Sequence, residues 1–408
     1  MKTILFVAYG GGHVTQIIPI VNELKKNPNF NIKIIALTIA GKKLQQRNIP
    51  YQSFKDFITK DDHEILKYGT ELAKNIHRDN SDIPYEETIA YLGASFFDLV
   101  TEHGEEKAYK IYENIGRRAF LPITMMKRIF KEIKPDFVIT TTVARAEKAA
   151  RIVALEKNIP VLAMQDLPIN ITSSKNNENS LIEPIHANYI NVISNNTKLA
   201  LEEIGYLAKD KFIICGNPAF DRVFNERKKL NDDRHKQKIL FGGCVFKDNK
   251  VIKGSEAYQH LELVVNAIGK GKTIYLRPHP SEDIALYQKF IKDMSNPDII
   301  LAQDYNLYDL IYNVDLVISY VSTILLESLY MQKKVLQIKL YDIKYDGMPV
   351  GDLGYAWQVK DTKELDKIIP KILADKTEIK EKLRKFNADF PKQKAAPKIA
   401  KVIIDHLN

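Results

Sequence analysis

Cysteine is almost missing: Cys215 and Cys244 are the only two in 408 residues. So small a supply excludes a disulfide framework and fits a reduced, cytoplasmic setting, and neither thiol has neighbours at metal-ligand spacing. Long apolar runs are missing too. No stretch approaches the ~20 residues of a membrane span. The apolar run that opens the chain, about seven residues long, is too short for a signal peptide. Arginine-rich tracts and basic blocks interleaved with aromatics are absent, which argues against nucleic acid as a partner. No Gly-Lys-Ser/Thr follows a glycine loop and no GxGxxG occurs, so neither a Walker A loop nor the dinucleotide fingerprint is present. Asp61-Asp62 and Asp232-Asp233 lie in polar stretches that read as exposed, so no DxD-like motif serves a donor and no metal is expected. Repeats of about 20–50 residues, the mark of solenoids, are absent as well.

What remains is an ordinary globular composition with a basic excess. The hydrophobic fraction is 45%, that of a protein with a sizeable core. The length predicts two domains of about 200 residues each. Sixty basic residues against 51 acidic ones give a net charge of +9. This reads first as a lysine-rich solvated surface; it also permits peripheral attachment to an anionic membrane face.

The stretch that organises the chain is residues 2–19, KTILFVAYGGGHVTQIIP. An apolar run meets Gly10, Gly11, Gly12 and His13, and apolar residues then recur at helical spacing. The pattern predicts strand, tight glycine turn, helix. Such a corner lets a ligand approach the backbone and offers it unpaired N–H groups. The plainer reading is a tight corner of any α/β protein.

The same rhythm continues with a strand at 32–38, a short helix at 41–47 and a third strand at 51–54, which together imply a parallel sheet with helices on both faces. From 61 to 134 the pattern turns helical, with segments at 64–75, 85–102, 105–120 and 122–133. This reads as an insertion. Its varied polar residues, Asp98, Glu102 and His103 among them, make either a solvated face or an acceptor-binding wall. Strands return at 137–141, 161–164, 186–193 and 212–215, with helices at 144–157 and 195–204. The charged run RKKLNDDRHKQK at 227–238 marks a linker. A second α/β unit follows, with strands at 239–241, 273–276, 299–302, 316–319 and 335–338, and the chain reads as helical from 362 onward.

In open parallel sheets, ligands bind beyond the carboxyl ends of the strands. Several distinctive segments fall there: GGGH at 10–13, Gln165-Asp166, Gly216-Asn217-Pro218, RPHP at 277–280 and YVST at 320–323. Prolines on both sides of His279 stiffen its loop, so the imidazole is held where it can donate to a phosphate oxygen, with Arg277 adding charge. The alternative is a rigid turn. Ser322 and Thr323 open a helix and are natural N-caps, but beside His279 they also suit a phosphate. Glu327, one turn on, is placed for a ribose hydroxyl or as an ordinary first-turn acid. Gly242 and Gly243 end the first strand of the second unit and join the donor-side set. Asp166 is placed as a general base or as an Asx turn before Pro168, with His13 as its rival. Gly11, Gly12, Asp98 and His103 complete the acceptor-side candidates.

Taken together, the pattern resembles a GT-B glycosyltransferase over most of the chain. The GGGH corner is similar to the acceptor-side glycine loop of the UDP-GlcNAc transferase of lipid II synthesis, although that family's fuller pattern of two glycine pairs is not met. SNNTKLALEEIG at 194–205 and CGNPAFD at 215–221 are similar to the link region of bacterial GT-B enzymes and UDP-GlcNAc 2-epimerases. His279-Pro280 and Ser322-Thr323 resemble the HP and Ser-Thr motifs that hold the CMP phosphate in bacterial sialyltransferases and capsule transferases. The acidic pair before glycine that supplies the base in those families has no clean match; Gln165-Asp166-Leu167 comes nearest. CDP-glycerol-type polymerases carry a similar His and Ser pattern.

The resemblance implies two Rossmann-like domains facing a cleft. The expected parts are an acceptor-side domain over 1–226, a nucleotide-sugar-binding domain over 238–390 and a C-terminal helix at 391–408 that packs back on the first domain. It implies an inverting, metal-independent transferase without a cofactor, moving a sugar from a nucleotide donor to a glycan, lipid-linked or protein acceptor in bacterial surface-glycan synthesis. The favoured donor is a CMP-activated nonulosonate. A UDP-GlcNAc transferase, or a UDP-GlcNAc 2-epimerase or hydrolase, is the alternative, though an epimerase has no need of a helical acceptor wall.

Overall fold

A computed structural model describes residues 1–76, 82–141, 145–165, 167–168, 187–203, 212–229, 236–243, 255–279, 282–339 and 347–408. Asp166 and Pro280 lie outside the described residues, as do Cys244 and Asp232-Asp233. The chain divides into two compact units. Unit 1 comprises Met1–Asp166, Ser180–Asp221 and Lys394–Asn408, and unit 2 comprises Leu167–Asn179 and Arg222–Gln393. The division falls ahead of the charged run at 227–238. Residues at the start of that run are folded into unit 2, where Lys228 N–H donates to Asp309 at 3.0 Å and Asn313 donates to Lys228 O at 2.8 Å.

Unit 1 begins β1 (Lys2–Tyr9), α1 (Gly11–Leu24), β2 (Phe30–Leu37) and α2 (Ile39–Gln45). Four helices follow: α3 (His63–Ile76), α4 (Tyr85–His103), α5 (Glu105–Ile115) and α6 (Ile123–Ile133). Then come β3 (Phe137–Thr140), α7 (Arg145–Glu156), β4 (Val161–Met164), β5 (Tyr189–Val192), α8 (Asn195–Glu203) and β6 (Phe212–Ile214). The sheet order is β2-β1-β3-β4-β5-β6, and every described pairing is parallel. Residues Ile4 through Ala8 are fully buried, as expected of a strand covered on both faces.

The strand expected at 51–54 reduces to one parallel bridge, Ile35 to Gln52. Immediately after it, Ser53 and Asp56 form a capping box that starts a 3₁₀ turn, Phe54–Phe57. Local capping therefore ends the extension that β-propensity alone suggested. Asp62 is not the exposed acid its polar surroundings implied. Arg128 grips it with two hydrogen bonds, 2.7 and 2.6 Å, and also donates to Phe57 O at 2.8 Å. That guanidinium pulls the Asp62 carboxyl down to about 2.

The insertion is held by close helix contact. A Cβ on Gly69 would lie 2.2 Å from Ile89 O, and one on Gly93 would lie 2.0 Å from Ile65 O. The α3 and α4 backbones meet where side chains are missing, and Ala73, Ala90 and Ala94 are buried on the same pair of helices.

Unit 2 runs β7 (Lys238–Gly242), α9 (Glu256–Ile268), β8 (Thr273–Arg277), α10 (Ile284–Met294), β9 (Ile299–Leu301), α11 (Leu307–Asn313) and β10 (Leu316–Ser319). It ends with α12 (Ile324–Tyr330), β11 (Lys334–Ile338), β12 (Trp357–Val359), α13 (Leu365–Ala374) and α14 (Glu378–Asp389). Its order, β12-β11-β10-β7-β8-β9, is that of a Rossmann sheet read from the far edge. The three-residue β12 lies in a stretch where no strand was expected, too short for period-2 alternation to register. The last helix, α15 (Ala395–Leu407), belongs to unit 1. Ala396, Ile399 and Ile403 pack with Val14, Ile17 and Val21 of α1. Asp221 caps it, accepting from Ala395 N–H at 2.6 Å and Ala396 N–H at 2.9 Å. Among the described residues no helix is long and apolar enough to cross a membrane.

Candidate active site

In unit 2 the strand order reverses between β7 and β10, and the first residues after β7, β8 and β10 lie at that end of the sheet. Ser319 donates to Gly242 O at 2.9 Å, and Gly243 N–H donates to Arg277 O at 2.7 Å. Both glycines sit tightly against their neighbours, Gly243 against backbone. A Cβ on Gly242 would press on Ile324 at 3.0 Å; one on Gly243 would strike Glu282 Oε2 at 2.3 Å and His279 N at 2.9 Å.

The loop after β8 is tied by Glu282. Its Oε2 accepts from His279 N–H at 2.5 Å and its Oε1 from the Tyr287 hydroxyl at 3.0 Å, while Glu282 N–H donates to His279 O at 2.8 Å. Glu282 is buried, and burial pushes its carboxyl up, offset in part by these bonds. His279 thus stands on the surface on a fixed backbone. Partial burial lowers its imidazole pKa, which favours the neutral ring as a hydrogen-bonding group over a permanent cation.

Ser322 and Thr323 reach the same corner. Ser322 Oγ accepts from Ile324 N–H at 3.4 Å, and Thr323 Oγ1 donates to Glu327 Oε2 at 3.5 Å. Both contacts are long, so either hydroxyl can turn to a ligand at little cost. Thr323 holds the N-cap position of α12 in αR geometry and makes no side-chain cap bond.

Two of the expected donor residues are otherwise engaged. Arg277 is half-buried, and its Nη1 donates to Ala302 O and Tyr305 O, both at 2.8 Å. It stitches β8 to the loop after β9. Glu327 is buried and accepts from the Tyr308 hydroxyl at 2.8 Å. Burial pushes its carboxyl up, and the charges of Arg277 and Arg222 partly counter this. Glu327 therefore braces α11 against α12.

Unit 1 has its own reversal, between β1 and β3. Gly10 sits at φ 90, a conformation that glycine adopts without strain, and α1 starts directly after it. Nothing lies within 4 Å of where a Gly12 Cβ would be. Lys43 of α2 reaches over and donates to Gly11 O at 2.9 Å. Beneath the corner lies Glu147 of α7, fully buried. It accepts from Tyr9 N–H at 2.8 Å and from Thr141 N–H, and the Thr141 hydroxyl bonds it at 3.0 Å. Burial pushes its carboxyl up, and the nearby His13 opposes this. His13 Nδ1 lies 3.3 Å from Thr141 O. A carbonyl can only accept, so this contact places the proton on Nδ1 and leaves Nε2 as the acceptor. Arg145 lies over the Tyr9 ring at 4.8 Å.

The insertion candidates take structural posts. Asp98 accepts from Thr124 N–H at 2.7 Å and so caps the first turn of α6. Burial pushes its carboxyl up, and its bonds to Thr124 counter that. His103 sits in the last turn of α4, 3.6 Å from Glu102, a favourable place at the helix's negative end.

Three carboxylates escaped notice in the sequence. Glu282 had a signal, an acid three residues past His279 at the spacing of a capping acid. Glu87 had one too: with Ala90, Tyr91 and Ala94 it falls at i, i+3, i+4 and i+7, so a charge stands in an apolar stripe. Glu147 had none: Thr141 lies six residues before it, but Tyr9 lies 138 residues away in the chain.

Residues 141–404 match the model of a family described as CDP-glycerol:poly(glycerophosphate) glycerophosphotransferase. No curated protein sequence matches the chain. A Listeria monocytogenes structure described as a UDP-N-acetylglucosamine 2-epimerase aligns with a TM-score of 0.64 at 14% identity, covering 100% of this chain and 97% of that one. The Neisseria meningitidis UDP-GlcNAc 2-epimerase bound to UDP-GlcNAc aligns at 0.58 and 15% identity, covering 100% and 99%. MurG of Acinetobacter baumannii aligns at 0.58 and 12%, covering 99% and 100%. At such identities the likeness establishes the fold: GT-B, with two Rossmann-like α/β units.

Proposed function

Because the chain belongs to the CDP-glycerol:poly(glycerophosphate) glycerophosphotransferase family, we propose that this GT-B glycosyltransferase takes a cytidine-nucleotide donor and passes its activated group to a hydroxyl acceptor in bacterial surface-polymer synthesis. The observation that carries this reading is the corner of unit 2, where Gly243, His279, Ser322 and Thr323 stand at the sheet's switch point on loops locked by Glu282 and Ser319. A neutral imidazole and two hydroxyls on rigid supports suit the oxygens of a nucleotide phosphate. With CDP-glycerol, the acceptor oxygen attacks the phosphorus that bears glycerol. The bond from that phosphorus to the CMP oxygen breaks, and CMP leaves with the electron pair. The acceptor's proton goes to a base.

A CMP-activated nonulosonate shares the cytidine head and would place the same charge on the leaving phosphate. Glycerol phosphate is preferred because the family match spans the residues that carry the phosphate motifs. Three neighbours were solved with UDP, UDP-GlcNAc or both, which supports the nucleotide-linked class of donor in general. Thermal-shift titration with CMP, CDP, UDP and GDP tests the reading. Stabilisation by cytidine nucleotides, lost in His279→Ala without loss of fold, is the expected result. Stabilisation by UDP alone would overturn the cytidine donor and favour the UDP-GlcNAc alternative. Peripheral membrane association belongs to the same proposal and rests on the basic excess alone.

A further inference from the structure

Away from the strand-end loops, unit 1 holds a buried carboxylate with no close hydrogen-bond partner among the described residues. Glu87, in the first turn of α4, is 5% exposed, and neither oxygen has a hydrogen-bond partner among the described residues. The neighbouring Ser53 hydroxyl makes only a long contact with Asp56, 3.4 Å. Burial pushes the Glu87 carboxyl up to about 7, with Ser53 and the charge of Lys55 offsetting part of the cost. The buried acids Glu147, Glu282, Glu327 and Asp221 all accept hydrogen bonds. Glu87 is the exception, and an unpaired buried carboxylate is costly to keep.

Two cavities border it. One, of about 200 Å3, is lined by Thr38, Lys42, Tyr51 and Lys55 as well as Glu87. The other, of about 100 Å3, is lined by Thr38, Ile83, Tyr91, Leu92 and Arg117 as well as Glu87. Both touch Thr38, which follows the carboxyl end of β2 and is held at φ 57, a strained backbone for a β-branched residue.

The chemistry narrows the occupant. Two acceptor oxygens side by side call for two O–H donors on adjacent carbons. The apolar walls from Ile83, Tyr91 and Leu92 suit the C–H edges of such a molecule. Lys55 and Arg117 are exposed on the linings and would repel an amine while attracting an anion attached to the hydroxylated part. No group of three or more His, Cys, Asp or Glu side chains able to hold a metal occurs among the described residues. We propose that Glu87 and the second cavity form a binding site for a polyol phosphate, with a vicinal diol on the carboxylate and the phosphate towards Arg117. Its use as the acceptor end of a growing polymer rests on the transferase reading; the binding itself does not.

Isothermal titration of the full chain with glycerol 3-phosphate tests the site. The comparison ligand is 3-hydroxypropyl phosphate, which lacks the second hydroxyl. Tenfold or weaker binding of that analogue is expected, as is a tenfold loss in Glu87→Gln with its CMP-induced thermal shift intact. Arg117→Ala should weaken glycerol 3-phosphate several-fold and leave glycerol unchanged. Equal binding of both ligands by the unmodified protein, or no binding at millimolar concentration, would overturn the site whether or not the variants fold. Loss of the cytidine shift with polyol binding retained would instead strike only the transferase reading.

Discussion

The corner after β1 and the corner after β7 answer one requirement by different routes. Each ends a central strand in glycine at the point where the sheet order reverses, and each rests on a buried glutamate that accepts at least one backbone N–H. In unit 2 that glutamate, Glu282, comes from the same loop, three residues beyond His279. In unit 1 it is Glu147, which bonds Tyr9 from 138 residues away in the chain. The first arrangement is stiff by local chemistry, and its glycines are filled against neighbours. The second depends on α7 docking against the sheet; a Cβ on its Gly11 would meet Lys43 at 3.0 Å, while its Gly12 faces open space. A rigid corner suits a charged phosphate that must be met with fixed groups. An open one suits a varied or bulky acceptor.

The largest expected effect separates the corners. Gly243→Ala would drive a methyl group into Glu282 and His279, so transfer should fall at least about tenfold with the CMP-induced thermal shift gone; a normal shift would show the loop to be pliant. Glu147→Ala comes next. It strips acceptors from the Tyr9 and Thr141 N–H groups, and urea denaturation should record a loss of about 2–5 kcal/mol.

Glu87→Gln should act in the opposite direction and depend on pH. The folded carboxyl titrates at about 7, against 4.5 when unperturbed, so the folded state holds the extra proton between those values. Wild-type stability therefore falls as pH rises through that window, and the glutamine variant escapes the fall. Lys55, Asp56, Lys42, Asp82 and Arg117 are common to both proteins and drop out of the difference. The variant should gain up to about 3 kcal/mol at pH 8 over its advantage at pH 4.5; a pH-independent difference would contradict the buried, unpaired state.

Asp221→Ala removes the cap of α15 and should cost about 1–2 kcal/mol, measured by the urea midpoint. The smallest effect belongs to Gly12→Ala. With nothing within 4 Å of the new methyl, stability should stay within about 0.5 kcal/mol, and a larger loss would remove the contrast between the corners.

Much of this architecture is readable along the chain. The alternation of strand and helix, the helical insertion and the glycine-ended first strands of both units follow from periodicity and turn chemistry, which act over a few neighbouring residues. The same locality made Arg277-Pro278-His279-Pro280 and Ser322-Thr323 recognisable as strand-end groups. It also misled. Residues 51–54 carry strand-forming side chains, yet the Ser53–Asp56 capping box stops the strand. Asp98 and Arg277 carry the residue types expected of a site, and the fold also gives them structural partners, Thr124 N–H and carbonyl groups after β9, that no local pattern announced.

By itself, then, the sequence determined the elements, their order and the residue types at their ends, because backbone preference and apolar period are set by near neighbours. Only the tertiary structure decided which acids are spoken for. Glu147, Glu327 and Asp221 are paired and Glu87 is not, a difference made by burial and by partners supplied from remote segments. Desolvation and pairing act through space: the apolar stripe around Glu87 marks a charge on a core face, but cannot say whether a partner meets it there.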